Sequence, residues 1–116
     1  MTRIAIPAAS CEGLSSKVND HFSMSDHYAI LDVESGKIAA VKMIRNPLAG
    51  QKNAAELLVK NRVNVVLAGR IGSCAIKILL DSGARLFSGA EGTIEDALND
   101  YQSGKLTEIL TAGYTL

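Results

Sequence analysis

Hydrophobic and polar positions along the chain change period several times, and each change predicts an element. Arg3 to Ile6 is a short apolar run stopped by Pro7, which fits a first strand. Ala8 to Asp26 is polar and aperiodic, longer than an ordinary connection, and loops of that kind inside compact domains are more often functional than idle. His27 to Val33 and Lys37 to Ile44 are β-compatible, and Glu34-Ser35-Gly36 between them has the composition of a tight turn, so the pair predicts a hairpin. From Gln51 to Lys60, Ala54, Leu57, Leu58 and Asn61 recur at helical spacing while Lys52, Glu56 and Lys60 take the other side. Val63 to Ala68 is apolar apart from Asn64 and rich in β-branched residues, as a strand covered on both faces should be. Ser73 to Ser82 predicts a second helix with Ala75, Ile76, Leu79 and Leu80 inward and Gly83 just past its end. A short strand, Ala84 to Phe87, follows. Thr93-Ile94-Glu95-Asp96 is a near capping box opening a third helix, whose stripe is Ile94, Ala97, Leu98 and Tyr101 and whose end lies near Gly104. The tail from Lys105 to Leu116 predicts no element.

The order β, β, β, α, β, α, β, α implies a meander of three strands followed by right-handed helical crossovers that add two strands parallel to the first. The expected architecture is therefore an α/β fold with a five-stranded mixed sheet in the order 3-2-1-4-5. In that order the sheet changes sides between the first and fourth strands, and ligands bind outside the carboxyl ends of strands at such a switch point.

Composition narrows the function. At 116 residues and 47% hydrophobic the chain can bury a real core, and one domain over residues 1–116 is the expectation. Lysine plus arginine and aspartate plus glutamate both total 12, so no overall field draws the protein to nucleic acid or an anionic membrane. No apolar run approaches membrane-spanning length, which predicts a soluble cytoplasmic protein, and Cys11 and Cys74 are too few for a disulfide framework.

The chemistry-bearing residues converge on the switch-point edge. The first loop delivers Ser10, Cys11, Lys17, His21, Phe22, Met24 and His27, the hairpin end delivers Arg45 and Asn46, and the loop after the fourth strand delivers Gly69-Arg70-Ile71-Gly72-Ser73-Cys74. Glycines bracketing a strand-to-helix turn let backbone amides approach a ligand, and unpaired amides at the helix start favour anions. Cys74 in that first turn is either an activated thiolate, able to act as nucleophile or metal ligand, or a small core residue facing the sheet. Cys11 reads as an incidental thiol, His27 as structural and Phe22 as an anchor of its loop. His21, in a polar loop beside Asp20, is the better ligand or proton carrier.

Five segments in order carry a resemblance: Ile4-Ala5-Ile6-Pro7, Asn19-Asp20-His21-Phe22, Arg45-Asn46-Pro47, Gly69-Arg70-Ile71-Gly72 and Gly89-Ala90-Glu91-Gly92-Thr93. Over roughly Arg3 to Leu106 the chain resembles the dinitrogenase iron-molybdenum cofactor-binding family, which includes the nitrogenase accessory proteins NifX and NafY and small stand-alone domains such as the orange proteins. The resemblance implies a ribonuclease H-like three-layer fold with helices on both faces of the sheet. It also implies a non-enzymatic role in binding, carrying or assembling a molybdenum-containing metal-sulfur cluster, of the molybdenum-copper sulfide or iron-molybdenum cofactor type. His21 takes the position of the family's cofactor-binding histidine. Ser23 and Ser73 depart from the glycine and proline usual in the family.

The expected function is thus a carrier of an anionic cluster or thiomolybdate, with Ser10, Cys11, His21, Phe22, Met24, Arg45, Asn46, Arg70, Ile71, Gly72, Ser73 and Cys74 as the binding set and His21 and Cys74 as metal ligands. Soft donors suit copper(I) and sulfide clusters. A two-metal nuclease would want a first-strand carboxylate, and a thiol oxidoreductase a Cys-x-x-Cys pair; neither is present. The competing expectation is a regulatory or scaffold module that binds a protein partner, in cluster delivery or a redox pathway, through Leu106, Ile109, Leu110, Tyr114 and Leu116. A zinc site from Cys11, His21, His27 and Cys74 has irregular spacing and ranks last. A monomer or weak homodimer is expected.

Overall fold

A computed structural model of the chain describes residues 2–22, 25–46 and 54–110. Its elements run β1 (Thr2–Ala8), a 3-10 turn (Gly13–Ser15), β2 (His27–Glu34), β3 (Lys37–Arg45), α1 (Ala54–Lys60), β4 (Val65–Ala68), α2 (Ser73–Asp81), β5 (Arg85–Ser88), α3 (Ile94–Gln102) and β6 (Thr107–Ile109). One sheet takes the order β3-β2-β1-β4-β5-β6. The meander is antiparallel, β1, β4 and β5 are mutually parallel, and β6 returns antiparallel to β5.

The expected order 3-2-1-4-5 is present, with one correction: the sheet has six strands. β6 comes from the tail that predicts no element, and its Ile109 is 1% exposed against Leu86. This removes Ile109 from the apolar surface expected of a scaffold module. Leu106 is likewise packed on the core, Leu110 is exposed, and Tyr114 and Leu116 lie outside the described residues.

Two apolar layers cover the sheet. On one face Ala54, Ala55 and Leu58 of α1 and Ile76 and Leu79 of α2 pack on Ala5, Tyr28, Ile30, Val66 and Leu86. On the other, Ile94, Ala97 and Leu98 of α3 pack on Ile4, Ile6, Leu31, Val65 and Leu67. Burial on both faces explains the near-continuous apolar sequence of β1 and β4. The hairpin closes through Ser35 and Gly36 at φ 53 and 79, the two-residue turn whose twist matches paired strands. The carboxyl ends of β1, β3, β4 and β5 all reach one edge, where His27 pairs with both Ala8 and Arg45.

Candidate functional site

The long first loop does two separate things at this edge. Its first half doubles back, with the Ala9 amide donating to the Lys17 carbonyl at 2.8 Å and Ala8 bridging Val18. Leu14 and Val18 join the α3-side core, and the Ile94 amide donates to the Ser16 carbonyl at 2.8 Å. Ser10 follows this excursion, since the Ser16 hydroxyl donates to its carbonyl at 3.1 Å. The exposed Cys11 beside it is therefore carried toward the start of α3.

The second half turns the other way. Asn19 holds the turn, its amide donating to the Pro7 carbonyl at 2.9 Å and its side-chain oxygen accepting from the His21 amide at 3.0 Å. The loop then stitches onto the segment after β4. The Arg70 amide donates to the Asp20 carbonyl at 3.0 Å, the Phe22 amide donates to the Arg70 carbonyl at 3.2 Å, and His21 bridges Arg70 in parallel register. Gly69 permits the approach: a Cβ there would meet Asp20 Oδ1 at 3.0 Å. The crevice between β1 and β4 is thus spanned by its own two loops, and His21 and Arg70, both exposed, stand together on the rim.

Directly after Arg70 comes the start of α2. Its N-cap, Gly72, supplies no side chain and no side-chain cap hydrogen bond forms, so the first amides of the helix are open, and Gly72, Ser73 and Cys74 are exposed. The neighbouring α3 is different, because Thr93 and Asp96 close its first turn with a complete capping box. Of these two helix starts at the edge, only that of α2 is left open to an anion. Cys74 is not the core residue that one reading allowed: it points to solvent in the first turn.

Beneath the rim lies a buried polar layer. Phe22 and Asn46 are 2% and 3% exposed, so both expected site residues stand behind the surface. The Ser25 hydroxyl points at the Ala8 and His27 carbonyls, at 2.9 and 2.7 Å, and the Asn46 amide donates to the Asp26 carbonyl at 2.7 Å. Ser25 and Tyr28, which the sequence does not mark, belong to this layer; both are fully buried, and their burial depends on which loop covers the end of β2.

The remaining expected residues are dispersed. Arg45 ends β3, three strands from β4, and at about 4.8 Å per strand the backbones are roughly 14 Å apart. Met24 lies outside the described residues. Among the described residues no three His, Cys, Asp or Glu side chains gather closely enough to hold a metal ion, which removes the four-ligand zinc site. An open hollow of about 550 Å³ beside the loop is lined by Ala9, Lys17, Val18, Asn19, Asp20, Glu91 and Gly92. Its one ammonium faces two carboxylates, so an anion is better served by the Arg70 side of the loop.

No curated protein sequence matches the chain. Solved structures do: a NifB candidate from Thermotoga is 28% identical, with a TM-score of 0.82 over 100% of this chain and 98% of its own. The apo form of the orange protein from Desulfovibrio gigas superimposes with a TM-score of 0.84 at 24% identity, covering 96% of this chain and 95% of that one. A dinitrogenase candidate from Methanocaldococcus jannaschii shares the fold at 17% identity and a TM-score of 0.74, covering 94% and 95%. The family model described as dinitrogenase iron-molybdenum cofactor matches residues 2–104, nearly the full length of the domain described above. The chain belongs to the dinitrogenase iron-molybdenum cofactor family, a family of metal-cluster binding.

Proposed function

We propose that this protein binds and carries an anionic molybdenum-containing metal-sulfur cluster, of the molybdenum-copper sulfide or iron-molybdenum cofactor type, and does no chemistry on it. The observation that supports this best is the rim itself: His21 and Arg70 held together by the loop stitching, next to the uncapped start of α2. Arg70 and the open amides offer charge and hydrogen bonds to a sulfide or oxide surface, and His21, with Cys74 nearby in sequence to that helix start, offers soft donors suited to copper. Family membership supports the same cargo class.

In this reading Phe22 and Asn46 support the rim from below, and Ser10 and Cys11 are peripheral. Anaerobic reconstitution with copper(I) and tetrathiomolybdate should give a coloured complex of fixed stoichiometry. His21→Ala should weaken it by about tenfold or more, the loss of one good ligand or charge-assisted contact. A wild-type protein that takes up neither this cluster nor isolated iron-molybdenum cofactor without oxygen would defeat the reading.

A further inference from the structure

Tyr28 is fully buried in β2, among Ala5, Phe22, Ile30 and Val66. Phenylalanine would fill that volume without bringing a polar atom into it, so the hydroxyl needs a partner. It donates to the carbonyl of Phe22, the residue immediately after His21. The same residue's amide donates to the Arg70 carbonyl at 3.2 Å, and its ring packs on the Tyr28 ring with centroids 5.5 Å apart and planes tilted by 57°. Phe22 is therefore gripped at its amide by the loop after β4 and at its carbonyl and ring by β2.

The grip extends sideways. Asn46, buried just beyond β3, lies beside the Tyr28 hydroxyl and sends its amide nitrogen to the Ser25 carbonyl at 3.4 Å. Burial raises the Tyr28 phenol well above its ordinary value, against a smaller lowering by Asn46, so it stays a neutral donor throughout the working pH range.

We infer that Tyr28 is a positioning residue for His21: by fixing the Phe22 peptide it sets the direction in which the imidazole meets a ligand, and through Asn46 it ties that direction to the end of β3. Holding the loop before binding removes an ordering cost that binding would otherwise carry. The binding half of this inference rests on the proposed cargo; the structural half does not.

Tyr28→Phe in the full chain separates them. Without cargo, hydrogen exchange at the Phe22 and Arg70 amides should accelerate about tenfold, the loss of one buried hydrogen bond, while Leu31 at the centre of β2 keeps its rate. With copper(I) and tetrathiomolybdate, affinity should fall by a similar factor when His21 is present and should not change when His21→Ala is already in place. Unchanged exchange at Phe22, or an equal loss of affinity with and without His21, would overturn the inference. If the wild-type protein binds no cluster, the proposed cargo falls and the exchange result still decides whether Tyr28 holds the loop. Should Tyr28→Phe fail to fold, Asn46→Ala keeps the phenol but removes its side support; faster exchange at Phe22 is again the expected result, and an unaltered rate overturns the inference.

Discussion

Gly69 and Gly72 bracket the same turn, but a side chain would meet a close neighbour at only one of them. A Cβ on Gly69 would lie 3.0 Å from Asp20 Oδ1 and 3.4 Å from the Ala90 carbonyl oxygen, whereas one on Gly72 meets nothing within 4 Å. The Ala90 oxygen is at ordinary contact distance, so the strain of Gly69→Ala falls on the Asp20 side chain, which must shift next to His21. We expect it to cost about 1–2 kcal/mol, as mild overpacking does, and to reduce cluster uptake further by moving His21. Gly72→Ala meets no neighbour but puts alanine, a poorer cap than glycine, at the N-cap of α2, and should cost about 0.5 kcal/mol. Urea unfolding of the two variants checks the difference, and equal midpoints would contradict it. The sequence marks both glycines as places of close approach, and it identifies His21 and Arg70 as rim residues. It reads Phe22 as an anchor of its loop, but it does not tell the two glycines apart, nor does it place Asn46 behind the rim, because both depend on which loop lands where.

Elements with a repeated signal were the legible ones. The third helix shows its start because the capping box is written in adjacent residues, and Thr93 and Asp96 do exchange both hydrogen bonds, at 3.1 Å each. The hairpin was legible for a similar local reason. β6 was not: three residues with a single buried side chain contain no period to detect. What makes Thr107–Ile109 a strand is tertiary, the free edge of β5 and the space beside Leu86. Ile109→Ala should therefore cost about 2–5 kcal/mol, the range for emptying a packed aliphatic site, while Leu110→Ser, at a side chain 74% exposed, should stay within about 0.5 kcal/mol. Thermal unfolding reads both. Equal effects would mean that the last strand does not close the core.

On the scale of the whole sheet, the path of the first loop is the largest feature that the sequence conceals. Nothing local says that residues 9–18 fold toward α3 while residues 20–22 cross to β4, and this division is why the two cysteines part. The sheet itself is fastened near both edges by ion pairs whose partners were invisible for the same reason. Arg3 holds Asp32 between β1 and β2, with Nε to Oδ1 at 2.8 Å, and Arg85 holds Glu108 between β5 and β6 through two contacts of 2.9 Å. Hydrogen bonding to the arginine, with the attraction of its charge, lowers both carboxyls below their ordinary values of 3.8 and 4.5, against a smaller opposing effect of desolvation. A carboxyl lowered in the folded state binds protons more readily when the chain is unfolded. Its contribution is therefore complete above the ordinary value and disappears as pH falls through the lower folded value. The gain is small because the groups are solvent-accessible. In a series of urea midpoints from pH 7 downward, wild type should stand slightly above the Asp32→Asn/Glu108→Gln variant at neutral pH, and the two curves should close only below about pH 4, where free carboxylates take up protons. A gap that stays constant into the most acid samples would show that the substitutions act through packing and not through these charges.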